Sequence, residues 1–326
     1  MISSRLLFIL VFSSISSTSM SATITSAISN GDTIEISGTG FGDTSPMYFW
    51  DDVSASFNEQ GGVDGKEVQV GPSYTWKKNT DQYGSPFHFR KSETLRNGKT
   101  GPVYFGEGHK NFLSGANFPT TASSHTMYVS WWYKPSEHPN GEWGSNKFIR
   151  IWDDPNGNGT RISWTQMHLT CDGESWFTWN GEVGKWNRHE FFVNLNDKRI
   201  LIRINGIIAH DMTGCKKSPA YVNTPLYVQV LGFDHGAENF RSMTTMLDDI
   251  YIGENRRRFE IANSNEWAYG KSSDILEIVS WSDTLVVAKA PEGSAIHKSN
   301  TSYIYFFDSN DLNVNTKLNC PACPKM

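Results

Sequence analysis

Apolar and polar residues alternate with a period of two along most of this chain. "TIEISG", "MYVSWWYKP", "KFIRIW", "RISWTQMHLT", "HEFFVNL", "RILIRINGIIAH", "PLYVQVLGF" and "LDDIYIG" each carry that pattern, and each is bounded by Gly, Asn, Asp or Pro. No segment holds a long 3.6-residue stripe, and only residues 235–246 suggest a short helical turn or a loop. Many short strands with few helices predict an all-β protein, an antiparallel jelly-roll sandwich with a smaller β-unit attached. Asn-Gly is the strongest hairpin dipeptide, and Asn205-Gly206 between two strand patterns predicts that "RILIRI" turns directly into "IIAHDM".

Composition adds to this picture without changing it. Aromatic residues make up 13%, with 12 Trp, against 19% charged residues and a net charge of −5. Such a balance lacks the basic stripe of a nucleic-acid binder. Residues 1–22 carry Arg5 as a short positive start, continue through an apolar run and end on small residues, which reads as a secretory signal; a buried N-terminal strand is the competing reading. No later stretch has membrane length, so the expected product is exported and is not an integral membrane protein. Export permits disulfides, and Cys171–Cys215 is the expected pair because both lie at turn-like edges of neighbouring predicted strands. Cys320 and Cys323 form a CxxC without the second pair a zinc ribbon needs, which leaves a local disulfide or loose thiols.

Two resemblances organise the chain. "WNRHEFFVNLN", "RILIRINGIIAH" and "LDDIYIG" make residues 74–255 resemble the concanavalin A-like lectin/glucanase superfamily, including laminin-G-like domains. "ITSAISNGDTIEISGTGFG" (24–42) resembles the opening of an IPT/TIG immunoglobulin-like domain. The continuation of such a domain is missing from residues 60–100 and resembles "IVSWSDTLVVAKAPEGS" (278–294) and "SYIYFFDSNDLNVN" (302–315) instead. The resemblances imply a small Ig-like domain built from residues 23–60 and 256–318, with the jelly roll inserted between and a Cys-containing tail at 319–326. Two unrelated β-extensions are the alternative.

Candidate chemistry follows from strand alternation. If "RISWTQMHLT" is one strand, Ile162, Trp164, Gln166 and His168 share a face. Trp164, Gln166 and His168 then line a groove, with Arg150 and Trp152 from "KFIRIW" and Tyr227 and Gln229 from "PLYVQVLGF" beside them. An aromatic ring next to amide and guanidinium donors suits a sugar, whose C–H face stacks while its hydroxyls need directional partners. The competing reading is that the tryptophans plug the core. The expected partner is an extracellular glycan or another cell-surface component.

A sharper alternative rests on "RKSETLR" (90–96) and "QMH" (166–168), which are similar to pieces of two motifs of jelly-roll alginate lyases. That resemblance implies β-elimination on a uronate, with Arg90 and Gln166 neutralising the carboxylate, His168 near the abstracted proton and a Tyr as acid/base, for which "LYVQVLGFDHG" offers Tyr227 as a poor substitute. Glu93 falls one residue early for the first motif, and the third has no match. Retaining glycosidases of this fold place E-x-D-x-x-E on one strand. That string is absent, and Asp248 and Asp249, being adjacent, are expected to face opposite ways. No motif requires a cofactor. Calcium has one weak candidate, Asp154, Asn156 and Asn158 of "DPNGNG", where a plain hairpin loop is the competing reading. Asp234 and Glu238 form a second, equally weak one.

Overall fold

The computed structural model describes residues 21–77, 84–115, 125–139, 147–154, 156–165, 167–236, 238–267, 273–296, 298–321 and 323. Two antiparallel sheets pack face to face. One has six strands in the order Glu174–Trp176, His168–Thr170, Arg161–Thr165, Lys147–Trp152, Tyr227–Asp234, Lys110–Leu113. The other runs Ile207–Thr213, Arg199–Ile204, Asn187–Asn194, Thr126–Pro135, Thr244–Gly253, Thr100–Glu107, His88–Thr94. The Asn205-Gly206 hairpin forms as expected: both residues have positive φ, 51° and 76°, which matches the twist of the flanking strands.

The core between the sheets is aromatic, with Trp131, Tyr133, Phe148, Trp164, Trp179 and Phe191 among its buried members. His189 lies at its centre, stacked on Tyr133 at 5.0 Å and edge-on to Trp131 at 5.1 Å. Its Nε2 accepts a 3.0 Å hydrogen bond from the Trp179 indole. Burial lowers its pKa to about 3, so the ring is neutral and belongs to the hydrophobic packing.

A small sandwich is assembled from both ends of the chain. Thr23–Asn30 and Thr33–Thr39 pair with Leu285–Lys289 and Glu277–Trp281 in one sheet; Ser273–Ile275, Arg258–Ala262, Tyr303–Phe307 and Asn313–Lys317 form the other. Ile34 sits opposite Ala288, more than 250 positions away in sequence. Phe41 fills the middle, 5.1 Å from Phe259 and 5.2 Å from Phe306. Met47–Asp51 departs from the expected boundary at residue 60. It pairs with Thr244–Gly253 in the large sheet, and Phe57 of the helix that follows packs into the jelly-roll core.

The small sandwich sits on the outer face of the larger sheet, and charged residues join the two. Arg188 donates bidentately to Glu260, at 2.7 and 2.8 Å. Arg258 donates to the same carboxylate at 2.5 Å and to Asp311 at 3.0 Å, while Arg203 reaches Asp311 at 2.5 Å. Tyr128 donates to Glu190 at 2.6 Å, and Ser273 to Glu260 at 2.7 Å. Burial alone would raise the Glu260 pKa, but Arg188 and Arg258 outweigh it and hold the carboxyl at about 2. Around this cluster Tyr128, Phe192, Leu201, Tyr251 and Ile275 close an apolar seal.

A second junction gathers Asp248, Asp249 and Asp274 around one guanidinium, that of Arg96. Asp248 and Asp249 do not face opposite ways as expected. Asp249 takes φ 43° at an irregularity in its strand, and this brings both carboxylates to Arg96. Three buried acids exceed one cation. Burial therefore raises Asp249 to about 7 against the pull of Arg96.

Two outcomes follow. Glu260→Gln leaves two buried guanidinium groups under-compensated and should cost about 3–5 kcal/mol in denaturant unfolding; a loss under about 1 kcal/mol contradicts the role of the cluster. The Asp249 pKa is raised from 3.8, so the stability its protonated form carries is complete below pH 3.8 and is lost as pH rises through about 7. Asp249→Asn stays neutral at every pH. Its melting temperature should gain on that of the native protein between pH 3.8 and about pH 7, and a constant or narrowing gap contradicts this.

Candidate functional site

With the small sandwich on the larger sheet, the outer face of the six-stranded sheet is the other broad β-surface of the jelly roll. Its side chains form two rows. In the first, Lys147 is opposite Thr165, Thr165 opposite His168, and His168 opposite Trp176. In the second, Arg150 is opposite Ser163, Ser163 opposite Thr170, and Thr170 opposite Glu174. Each row crosses four strands, about 14 Å at the usual strand spacing.

Trp176 marks the outer end of the first row. It is 62% exposed, and one face of its indole stacks on His168 at 4.0 Å and 14° between planes. His168 Nε2 is also 2.9 Å from a Glu174 carboxylate oxygen, so the imidazole is held from two sides and keeps the indole flat. Arg150 donates from Nε to the Ser163 hydroxyl at 2.8 Å. At the inner end, burial and the neighbouring Arg150 lower the Lys147 pKa below its ordinary value. A flat exposed ring beside hydroxyls, a guanidinium, an ammonium and a carboxylate offers both stacking and directional hydrogen bonding.

The expected alternation is broken in three places, each with a physical cause. "RISWTQMHLT" is not one strand: Arg161–Thr165 turns back through Met167 into His168–Thr170, with Leu169 opposite Trp164. The parity of side chains resets at that turn. Trp164 is fully buried between the sheets and cannot line a groove, while His168 faces outward; Gln166 lies outside the described residues. A register shift between Lys147 and Ile149 sends Phe148 into the core and leaves Arg150 outside. Another between Val228 and Val230 leaves Gln229 6% exposed, its Oε1 without a hydrogen bond among the described residues.

The remaining predicted residues are distributed as follows. Trp152 is 4% exposed, with Gly157 of the following loop against its ring and the Arg161 guanidinium 5.4 Å from its centroid, so it is covered and offers no platform. Tyr227 donates its hydroxyl to the Asp154 carbonyl beside it. Arg90 is on the larger sheet, paired with Glu107 at 3.3 Å, so the structure does not bring it to His168 and Tyr227. In the calcium candidate, Asp154 is buried and accepts the Asn158 backbone N–H at 2.7 Å, while Asn156 and Asn158 are exposed, which describes a side-chain-capped loop. Asp234, of the second calcium candidate, lies 3.5 Å from Lys110.

Cys171 and Cys215 are disulfide-bonded, which ties the His168–Trp176 hairpin to the chain that follows Ile207–Thr213, and Cys320–Cys323 forms the local bridge. Trp176 and Glu174 escaped the sequence reading, although Asp172-Gly173 is a hairpin signal that sets "ESW" against "HLT" and so puts Trp176 beside His168. Replacing Cys171 and Cys215 together by Ala should cost about 2–5 kcal/mol; unchanged thermal stability would show that the hairpin is held by packing alone.

No family model and no curated protein matches this chain. Similar solved structures include domain 4 of AbnA, an extracellular arabinanase from Geobacillus stearothermophilus in complex with arabinotriose, at 16% identity over 61% of this chain and 89% of that one, TM-score 0.34. They also include a family 7 alginate lyase in complex with substrate, at 14% identity over 53% and 82%, TM-score 0.35. The globular domain of T. cruzi calreticulin is similar at 12% identity over 64% and 88%, TM-score 0.37. At these values the similarity decides neither ligand nor reaction, and the architecture rests on the strand pairings themselves. No helix among the described residues is long and apolar enough to cross a membrane.

Proposed function

We propose that this is an exported carbohydrate-binding protein. In this reading residues 1–22 are a removable leader, the jelly roll is of the concanavalin A-like type, and the small sandwich is an IPT/TIG-like unit that carries it. The ligand is a polysaccharide strand lying across the outer face of the six-stranded sheet. The observation that carries the reading is Trp176, an indole 62% exposed and held flat by the His168 ring, at the end of a row of hydrogen-bonding side chains. The spacing between strands is about 4.8 Å, comparable with one sugar unit of an extended chain, so successive residues of a row can address successive sugars. Sugar C–H groups stack on the indole; Arg150, Thr170, Glu174 and Lys147 exchange hydrogen bonds with hydroxyls, or with carboxylates where the polymer is acidic.

Binding is favoured over cleavage because the residues required for β-elimination are divided between the two sheets. Arg90 belongs to the larger one, His168 and Tyr227 to the smaller.

Affinity electrophoresis through gels containing alginate, polygalacturonate, xylan or glucomannan tests the proposal. At least one polymer should retard the native protein, and Trp176→Ala should weaken that retardation by about 10-fold in affinity, the scale of an aromatic anchor. Val279→Ala, at an exposed apolar residue of the small sandwich, should leave it unchanged. Free passage through every gel, or equal retardation of Trp176→Ala, overturns the reading. A rise in ultraviolet absorbance on the uronate polymers that His168→Ala abolishes would replace it with a lyase.

A further inference from the structure

A cavity of about 460 Å³ opens on the other side of the jelly roll, where the larger sheet meets the small sandwich. Trp132, Lys134, Lys185, Trp186, Arg96 and Ala295 are among its lining residues. Its volume is within the range of small-molecule sites, and junctions between packed units are where such sites concentrate. The walls come from separate parts of the chain: the turn after His88–Thr94, the end of Thr126–Pro135, the loop before Asn187–Asn194, and Ala295 of the second chain end.

Two features give this cavity a chemistry. The first is a pair of fixed indoles. Trp186 is half-buried and donates from its ring nitrogen to the Thr94 carbonyl at 3.0 Å, which sets its plane. Trp132 is held from one side by the Arg96 guanidinium, 4.6 Å from its ring centroid. The second is a pair of lysines, Lys134 and Lys185. The Lys134 ammonium is 5.8 Å from the centre of the Trp186 ring. Neither Lys134 nor Lys185 forms an ion pair among the described residues, whereas Arg96 is already satisfied by its three aspartates. Glu182 is the one acidic residue lining the cavity.

We infer that this cavity is a second ligand site, separate from the six-stranded face, and that it takes a single acidic sugar unit, a uronate. The sugar ring packs on the Trp186 face, and its carboxylate lies between the Lys134 and Lys185 ammonium groups. A ring plus a carboxylate is what this combination recognises: an aromatic wall alone would accept any pyranose, and the lysines alone any anion. Because the walls belong to both the jelly roll and the small sandwich, the occupant also bridges the two and stabilises the assembled protein.

Titration of the intact protein with D-glucuronate, followed by tryptophan fluorescence and by melting temperature, tests this. D-glucose and acetate serve as the probes that lack one half of the chemistry. Glucuronate should bind saturably and raise the melting temperature, and each of the other two should bind at least about 10-fold more weakly. Trp186→Ala should abolish the effect, and Lys134→Met should weaken glucuronate binding while leaving the unliganded melting temperature unchanged. Trp176→Ala should leave it intact, which separates this site from the polysaccharide face. Absence of saturable glucuronate binding, equal binding of glucose or acetate, or glucuronate binding lost with Trp176→Ala but kept with Trp186→Ala overturns the inference.

Discussion

The architecture depends on a buried set of charges between two β-units. Arg188 projects from the middle of the larger sheet into a position that water cannot reach, and Glu260 of the small sandwich meets it bidentately. Such a guanidinium without its partner would carry a prohibitive desolvation cost. The partner is on Arg258–Ala262, a strand of the small sandwich that pairs with Ser273–Ile275 and Tyr303–Phe307. The ion cluster therefore makes the small sandwich a condition of the larger sheet's outer face, and the reverse. Arg258, shared between Glu260 and Asp311, extends the constraint to the turn before the last strand of the small sandwich.

One consequence is a division of labour between the two outer faces of the jelly roll. Apolar and aromatic residues of the larger sheet, Tyr128, Phe192, Leu201 and Tyr251, are sealed beneath the small sandwich. The six-stranded sheet carries hydroxyls, cations and an exposed indole outward. A sugar-facing surface needs that mixture, because fully apolar faces do not discriminate among hydroxyl patterns and purely charged ones stay hydrated. The seam between the units is incomplete near Trp132 and Trp186, and the second cavity lies there.

Much of the fold was legible in the sequence because it rests on local signals. Period-two alternation marked the strands, and Asn205-Gly206 marked the hairpin. The Cys171–Cys215 bridge followed from turn-like positions on neighbouring strands. The site was less legible, because side-chain direction depends on single-residue irregularities that a pattern of two does not reveal. The turn at Met167 exchanged the faces of Trp164 and His168 relative to one another, and shifts near Phe148 and Gln229 did the same on adjacent strands. Asp249 escaped for the same reason: its positive φ puts neighbouring carboxylates on one guanidinium. The Arg188–Glu260 pairing spans 72 positions, and no local pattern announces it.

Native-state hydrogen exchange measures the dependence between the two units most directly. Amides of Arg258–Ala262 in the small sandwich and of Asn187–Asn194 in the larger sheet should open together, with one free energy and one denaturant dependence, because the charge cluster links both strands. Opening of Arg258–Ala262 at a distinctly lower free energy, with Asn187–Asn194 still protected, would show that the small sandwich detaches by itself and that the cluster does not decide which face of the jelly roll remains exposed.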